Sequence, residues 1–532
     1  MHGENQHGNS RQDDAMANIA LFASFRGRRL PAATDRNEAG GLAYARSPRG
    51  ALALYAATGC LNSTFYASDA EQLDRVLALC AEVEPRFVAQ TAIYARRIGA
   101  MKDMPALLLA SLSVRDRDLF AAAFPQVVDN GRLLRNVVQI LRSGRVGRKS
   151  LGSLPKRLVR AWLDRASEKQ LLNAAIGNAP SLADVIRMVH PKPADATREA
   201  LYAWILGKPH DPAQLPDTVR AYEAFKRDPT NADLPDLPFQ YFTSLPLDRA
   251  QWATLARRAS WQSLRQNLNT FARNGVFEDK AALYEVVSKL TDAESIRRAR
   301  VFPYQLLTAY QATEGLPCEI GEALQDAMEI ATRNVPALQG SVVVAVDVSG
   351  SMASPVTGFR KGATTKTRCV DVAALVAACV QRNSPLARVM PFDTAVRDVR
   401  LNPRDSVMTQ ARQLAQLCGG GTNVSAPLAQ LNREKAKVDL LVLVSDNESW
   451  RDTRGDGATE TMRQWAQIKT RCPQAKLVCI DLQPYATSQT VEREDVIHVG
   501  GFSDAVFDLL ANFAAEGAGA QRWVDKIADI DA

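Results

Sequence analysis

The hydrophobic period changes at about Gly340, and that change constrains the fold more than any other feature. Before it, from about Ala51 to Ile330, apolar residues recur at helical spacing. Leu73, Val76, Leu77 and Cys80 stand at i, i+3, i+4 and i+7, one face of a helix. Phe87, Thr91 and Tyr94 repeat the pattern with Ala95. Pro85, Pro105, Pro125, Pro155, Pro180 and Pro246 punctuate the segments. Amphipathic helix alternates with short turn, as in helix-pair solenoids, although no strict repeat fixes a period. Residues 206–246, rich in Pro and Asp, read as an extended connection. After Gly340 the pattern is strand and helix in turn. Apolar, β-branched runs at 341–346, 438–444 and 476–482, with shorter ones at 389–392 and 496–499, are separated by helical stretches at 370–382, 406–418, 459–469 and 504–513. Fully apolar strands alternating with helices predict a parallel sheet covered on both faces.

The expected organisation is a disordered tail over 1–20, an all-α helical-repeat domain over 21–337 and an α/β domain over 338–532. A length prior alone suggests more units, but an extended repeat makes length a poor guide to domain count. Hydrophobic residues at 46% and charged residues at 23% are ordinary for globular chains, and speak against a disordered chain, a coiled-coil rod or a fibre. No apolar run is long enough to span a bilayer, and the polar N-terminus lacks the apolar stretch of a secretory signal. The expectation is a cytoplasmic protein without a membrane partner. The eight cysteines include no Cys-x-x-Cys pair and the five histidines are scattered, His2 and His7 in the tail, which speaks against disulfide scaffolding and zinc.

The first strand of the α/β region ends in Asp347-Val-Ser349-Gly-Ser351. Ligands bind at the carboxyl ends of strands in such sheets, and this D-x-S-x-S places three oxygen side chains in one loop there. Hard divalent cations take oxygen ligands, magnesium typically with one or two carboxylates and several waters. Two further oxygen donors follow: Thr422 after three glycines, and Asp446 at the end of the 438–445 strand. By itself D-x-S-x-S fits a strand-to-helix turn with a cap equally well. Thr422 and Asp446, in order and in context, favour metal. An enzyme is the weakest reading. There is neither a P-loop nor a G-x-S-x-G elbow. Ser349 has no evident base, since His498 is the region's only histidine and reads as structural. An aspartyl-phosphatase reading of Asp347 wants a second acid where Ser349 stands.

Charge is unevenly distributed. The net +7 of the chain resolves into −2 over residues 1–20, +9 over 21–337 and zero over 338–532. The densest stretch, 131–160, holds Arg132, Arg135, Arg142, Arg145, Arg148, Lys149, Lys156, Arg157 and Arg160 with no acidic residue. A solvated helix face is the bland explanation. The absence of any acid points instead to a polyanion site, in which the glycine-rich 143–152 segment also offers backbone N–H groups. His190 and Lys192 lie near in sequence. A looser basic group, Arg257, Arg258, Arg265 and Arg273, is interleaved with Trp252, Trp261 and Phe271, whose helical spacing suits the core better than base stacking.

Two resemblances follow from these residues. Asp347, Ser349, Ser351, Thr422 and Asp446 fill all five positions of a pattern that resembles the metal-ion-dependent adhesion site of von Willebrand factor A domains. The resemblance implies a divalent metal, magnesium first, held directly by Ser349, Ser351 and Thr422 and directly or through water by the two aspartates, with a sixth position open to an acidic protein partner. Phe87-Val-Ala-Gln-Thr-Ala-Ile-Tyr-Ala-Arg-Arg, Met104-Pro-Ala-Leu-Leu-Leu-Ala, Lys149-Ser-Leu-Gly-Ser-Leu-Pro-Lys-Arg-Leu-Val-Arg-Ala-Trp and Asp184-Val-Ile-Arg-Met-Val-His-Pro-Lys-Pro resemble the TROVE module. A TROVE module followed by an A domain is the arrangement of the Ro 60 kDa autoantigen family, and the chain resembles its bacterial members over roughly residues 21–530.

That resemblance implies a ring of HEAT-like helical pairs closed by the A domain. It implies a non-catalytic RNA-binding protein. Y RNA binds the outer basic surface, single-stranded 3′ ends of misfolded RNA enter the ring, and a tethered exoribonuclease such as polynucleotide phosphorylase acts in ribosomal RNA maturation and stress-related decay. Lys156, Arg157 and His190 match family positions that contact Y RNA. Arg142, Arg145, Arg148, Lys149, Arg160 and Lys192 join them by charge alone. The competing expectation is a metal-dependent adhesion module that captures an acidic partner.

Overall fold

The computed structural model describes residues 30–532, apart from Cys60, Asn178, Asn231, Arg300, Phe302, Asn334, 360–364, 450–456, 502–504 and 516–522. The expected tail over 1–20 lies outside the described residues. From Pro48–Thr58 to Cys318–Thr332 the chain is a succession of short helices. Their starts are written locally. Ser68, Ser167, Ser181 and Asp248 form capping boxes, which satisfy the first free N–H groups of each helix. Helix Asp103–Arg115 buries every residue from Met104 to Ser113, because it packs against Pro85–Arg97, Arg117–Val127 and Gly131–Arg142 at once.

Two expectations about proline and loops need correction. Pro125 lies inside helix Arg117–Val127 rather than between helices. The stretch 206–246 is not simply an extended connection. It contains helix Asp217–Arg227, which buries Val219, Tyr222 and Phe225. Those three are spaced at i, i+3 and i+6, so an apolar stripe overrides the Pro- and Asp-rich flanks.

Strand β1 (Asp35–Arg36) and strand β2 (Leu42–Ala45) form an N-terminal hairpin. Strands β3 (Val342–Asp347), β4 (Arg388–Phe392), β5 (Leu440–Ser445) and β6 (Lys476–Asp481) follow, then the short β7 (Thr487–Ser488) and β8 (Val496–Gly500). The five longer C-terminal strands form a parallel sheet of order β4-β3-β5-β6-β8. Alternate residues of β3 enter different cores. Val343 and Ala345 pack with Leu428, Met462 and Trp465 on one side. Val342, Val344 and Val346 join a core continuous with the helical region. This is the doubly covered parallel sheet expected from the apolar runs.

The helical region and the sheet are therefore not separate bodies joined by a linker. At the N-terminal end, β2 pairs with β7 through Tyr44 and Ser488, helix Pro48–Thr58 packs on β8, and Trp523 donates to the Tyr94 hydroxyl at 2.9 Å. At the other end, Glu329 binds Arg382 and accepts from the Val407 N–H at 2.7 Å. The C-terminal unit thus touches the first and last helices, as the resemblance implies. One consequence is testable at Gly41. A Cβ there would stand 2.2 Å from the Ser449 carbonyl oxygen. Gly41→Ala is expected to cost about 1–3 kcal/mol through overpacking, read as a lowered Tm.

Candidate functional site

The D-x-S-x-S loop leaves β3 at the carboxyl edge of the sheet. Asp347, Ser349 and Asp446 are fully buried, and Ser351 and Thr422 nearly so. The Ser349 N–H donates to Asp347 Oδ1 at 2.9 Å, the two serine hydroxyls lie 3.3 Å apart, and Ser445 donates its hydroxyl to Asp347 Oδ2 at 2.5 Å. The loop carrying Thr422 is laced to this turn: Gly350 N–H donates to Gly420 O at 3.0 Å, and Gly419 N–H to Val348 O at 2.8 Å. The five predicted residues thus come together from three loops. Burial, followed by the charge of Asp446, pushes the Asp347 carboxyl up, and burial pushes Asp446 up.

Two carboxyl groups crowd an edge where, among the described residues, Asp446 Oδ2 has no hydrogen-bond partner. Buried, unpartnered carboxylate oxygen is costly unless a cation balances it. The residues fit a hard divalent ion. Among the described residues no group of three or more His, Cys, Asp or Glu forms a metal site, but a donor set of two carboxylates and three hydroxyls does not belong to that class.

Sequence reasoning passed over Glu448, which is completely buried two residues beyond Asp446. Burial and then the charge of Asp446 push its carboxyl up to about 8. Its only local signal is an acid in an otherwise small, polar turn. The predicted structural role of His498 matches its geometry: it is buried, with Nε2 2.7 Å from Thr490 Oγ1 and Nδ1 3.0 Å from Arg46.

The basic block folds as helix Gly131–Arg142, a loop, and helix Ser153–Arg165. Arg142, Arg145, Lys149, Arg157 and Arg160 are exposed, and Arg148 and Lys156 are half-buried. Arg148 is tied down, donating to Ser113 O at 3.1 Å and Leu151 O at 2.9 Å. Arg160 donates from Nε to Val189 O at 2.5 Å. That bond brings it to the end of helix Leu182–Val189, where exposed His190 takes a left-handed conformation at φ 48° and Lys192 follows. Two segments separated in sequence therefore converge on one cationic surface. Arg135 does not belong to it. It is buried and donates to Ile176 O at 2.6 Å and Pro180 O at 3.3 Å. Trp252, Trp261 and Phe271 are core residues, as their spacing suggests.

A second group of cations draws on distant parts of the sequence. The Lys102 ammonium is pushed down by burial and then by Arg132, with Arg96 and Arg265 adding to the effect and Asp103 opposing it. Arg265 lies far along the chain, is buried and donates to Gln305 O at 2.7 Å, so it adds to the field without being open to a ligand.

Comparison with known proteins finds family models on the C-terminal unit and on the last part of the helical region. The family model described as the Ro60 vWA domain matches residues 341–514. The one described as the TROVE domain matches residues 249–368, the last part of the helical region together with β3 and the turn after it. The chain is 28% identical over 529 residues to a protein named RNA-binding protein RO60 from Deinococcus radiodurans, covering 91% of this chain and 96% of that relative. It is 24% identical over 248 residues to an RNA-binding protein RO60 from Caenorhabditis elegans, covering 44% and 37% respectively. The crystal structure of the Deinococcus radiodurans RO (RSR) protein has the same fold, with a TM-score of 0.57 and 21% identity over 88% of this chain and 99% of that one.

Proposed function

We propose, from the premise that this chain belongs to the Ro family and joins a TROVE domain to a Ro60 vWA domain, that it is an RNA-binding scaffold without catalytic activity of its own. The observation that carries this reading is the convergence of Arg157 with His190 and Lys192, which the Arg160–Val189 bond brings together. Cations gathered on one rigid face are what phosphate recognition requires. On this reading Y RNA, a small structured non-coding RNA, lies on that face. The single-stranded 3′ ends of misfolded RNA meet the exposed cations Lys102 and Arg132. An exoribonuclease such as polynucleotide phosphorylase, tethered through the RNA, performs any cleavage in ribosomal RNA maturation or stress-related decay. The metal edge holds a divalent cation, magnesium first, on Asp347, Ser349, Ser351, Thr422 and Asp446. An external acidic protein ligand is disfavoured there by the burial of all five residues.

The test is a filter-binding titration against a small structured RNA. Lys156→Ala combined with Arg157→Ala is expected to weaken binding and to reduce the salt slope by about 2, one unit per lost phosphate contact. Unchanged affinity with an unchanged slope would remove this face from the RNA site.

A further inference from the structure

The last helices of the helical region and the α/β unit leave between them a cleft of about 560 Å³. One wall comes from helix Pro303–Ala312 and the turn into helix Cys318–Thr332, through Tyr310, Gln311 and Pro317. The other comes from Lys366, Arg368 and Asp371, around the start of helix Cys369–Asn383, and from Arg412 on helix Val407–Ala415. A narrower cavity of about 130 Å³ shares Tyr310, Gln311, Arg368, Asp371 and Arg412 with it. Clefts of this size between structural units are where small ligands bind.

Its walls are tied to each other across the interface. Thr367 Oγ1 lies 2.7 Å from Thr308 Oγ1 and donates to Gln311 Oε1 at 2.9 Å. Arg368 grips Asp371 with two nitrogens, Nε at 3.2 Å and Nη2 at 2.7 Å, so that pair is neutral. Arg412 Nη2 donates to the Tyr310 hydroxyl at 2.9 Å, and its guanidinium lies over the Tyr310 ring, 5.4 Å from the centroid. Both Arg412 and Lys366 are exposed, and among the described residues neither has an ion-pair partner. Glu314 is the remaining acid of the lining, so Lys366 and Arg412 leave one net positive charge. A flat cation held over an aromatic ring is a surface on which a nucleobase stacks. An ammonium without a carboxylate partner is a point charge for phosphate. One net charge suits one phosphate, and Glu314 repels a longer chain of them.

We propose that this cleft binds a single nucleotide with one phosphate, its base on the Arg412–Tyr310 pair and its phosphate on Lys366. The ligand touches both units, so its binding holds the last helices against the α/β unit. The site uses no residue of the basic face or of the Asp347 edge, and stands or falls apart from them. The nucleotide is either free in solution or an unpaired one of a bound RNA, and the recognising chemistry is the same.

The experiment titrates the full chain by calorimetry with AMP, ribose 5-phosphate and hexaadenylate. Wild type is expected to bind one AMP, and to bind ribose 5-phosphate roughly tenfold more weakly because it lacks the base. Lys366→Gln removes an exposed charge and is expected to weaken AMP binding roughly tenfold, with an unchanged circular dichroism spectrum and Tm. Arg412→Lys keeps the charge but loses the flat surface, and should weaken AMP while leaving ribose 5-phosphate as it was. Lys156→Ala with Arg157→Ala should leave AMP affinity unchanged. AMP should also slow maleimide labelling of Cys318, which is exposed on the lining of the cleft. Hexaadenylate that competes with AMP, or binds in its place with the same loss in Lys366→Gln, assigns the nucleotide to RNA; AMP binding without that competition assigns it to free nucleotide. AMP binding that either Lys366→Gln or Arg412→Lys keeps within about twofold overturns the site. So does ribose 5-phosphate binding as tightly as AMP, or Cys318 labelling unchanged at saturating AMP. A wild type that binds neither AMP, nor hexaadenylate in a Lys366-dependent way, overturns the proposal outright.

Discussion

Arg46→Ala is expected to destabilise the fold by about 3–5 kcal/mol, the typical loss when one member of a buried ion pair is removed. Arg46 follows β2, and its side chain is only 6% exposed. Its Nη2 donates to Asp481 Oδ2 at 2.7 Å, its Nε to Thr487 O at 3.2 Å, and its Nη1 lies 3.0 Å from His498 Nδ1. Burial, followed by the charge of Arg46, holds His498 well below its usual pKa. The ring is therefore neutral; in the tautomer that satisfies both neighbours, Nδ1 accepts from Arg46 and Nε2–H donates to Thr490. One guanidinium thus fastens the N-terminal hairpin to β6, β7 and β8. Without it, Asp481 at high pH is a charge in a dry site with no cation beside it, and among the described residues its Oδ1 already lacks a partner.

The loss should also grow with pH. Burial raises Asp481 from 3.8 to about 6 even with Arg46 beside it. A raised folded pKa gives stability that is present below the unfolded value and disappears as pH climbs through the folded one. Removing Arg46 raises that pKa further, so the variant loses more at pH 8 than at pH 5. His498 acts in the same direction. Its depressed folded pKa takes stability away as pH falls below about 6.5, and removing the Arg46 charge relieves that penalty on the acid side only. Urea denaturation at the two pH values measures the difference. A loss below about 1 kcal/mol at pH 8, or one larger at pH 5, would overturn this account of the clasp. Replacing both partners by apolar residues, Arg46→Met with Asp481→Leu, should recover much of the stability.

What could be read from the sequence, and what could not, divides by distance along the chain. The run Ser341–Val346 announced β3 because burial on both faces keeps Val342 to Val346 apolar. The grouping at the sheet's carboxyl edge was legible because Asp347, Ser349 and Ser351 are local to one turn, and Thr422 and Asp446 stand in loops that follow recognisable elements. The hairpin Asp35–Ala45 was not legible. Its partner, Ser488, lies at the opposite end of the chain, and nothing in residues 35–45 encodes that address. The same limit hid Arg46, the approach of Lys102 to Arg265, and the burial of Glu448 beneath Ala39. Arg135 failed for a different reason. Counting charge over 131–160 measures how many cations are present and says nothing about which face of the helix each occupies. Its position faces Ile176 and Pro180, so it serves backbone carbonyls.

Raising monovalent salt from 50 to 200 mM is expected to weaken binding of a small structured RNA roughly a thousandfold. The estimate follows from which cations are free to meet phosphate. Arg148 and Arg160 have guanidinium groups engaged with backbone carbonyls, and Arg135 is buried. Arg142, Arg145, Lys149, Lys156, Arg157 and Lys192 remain, exposed or half-buried. Arg145 has an ion pair with Asp74 at 3.4 Å, but both side chains are more than half exposed, so phosphate displaces that partner at little cost. Six phosphate contacts give a slope of log affinity against log salt of about −5. A protein in which the A-type domain alone binds its partner, with the helical region as a mere support, would bind RNA weakly and with a slope shallower than about −2. The two readings therefore separate in one salt series on the unaltered chain. Lys156→Ala with Arg157→Ala then locates the contacts, because loss of slope without loss of fold is a signature that a structural defect does not produce.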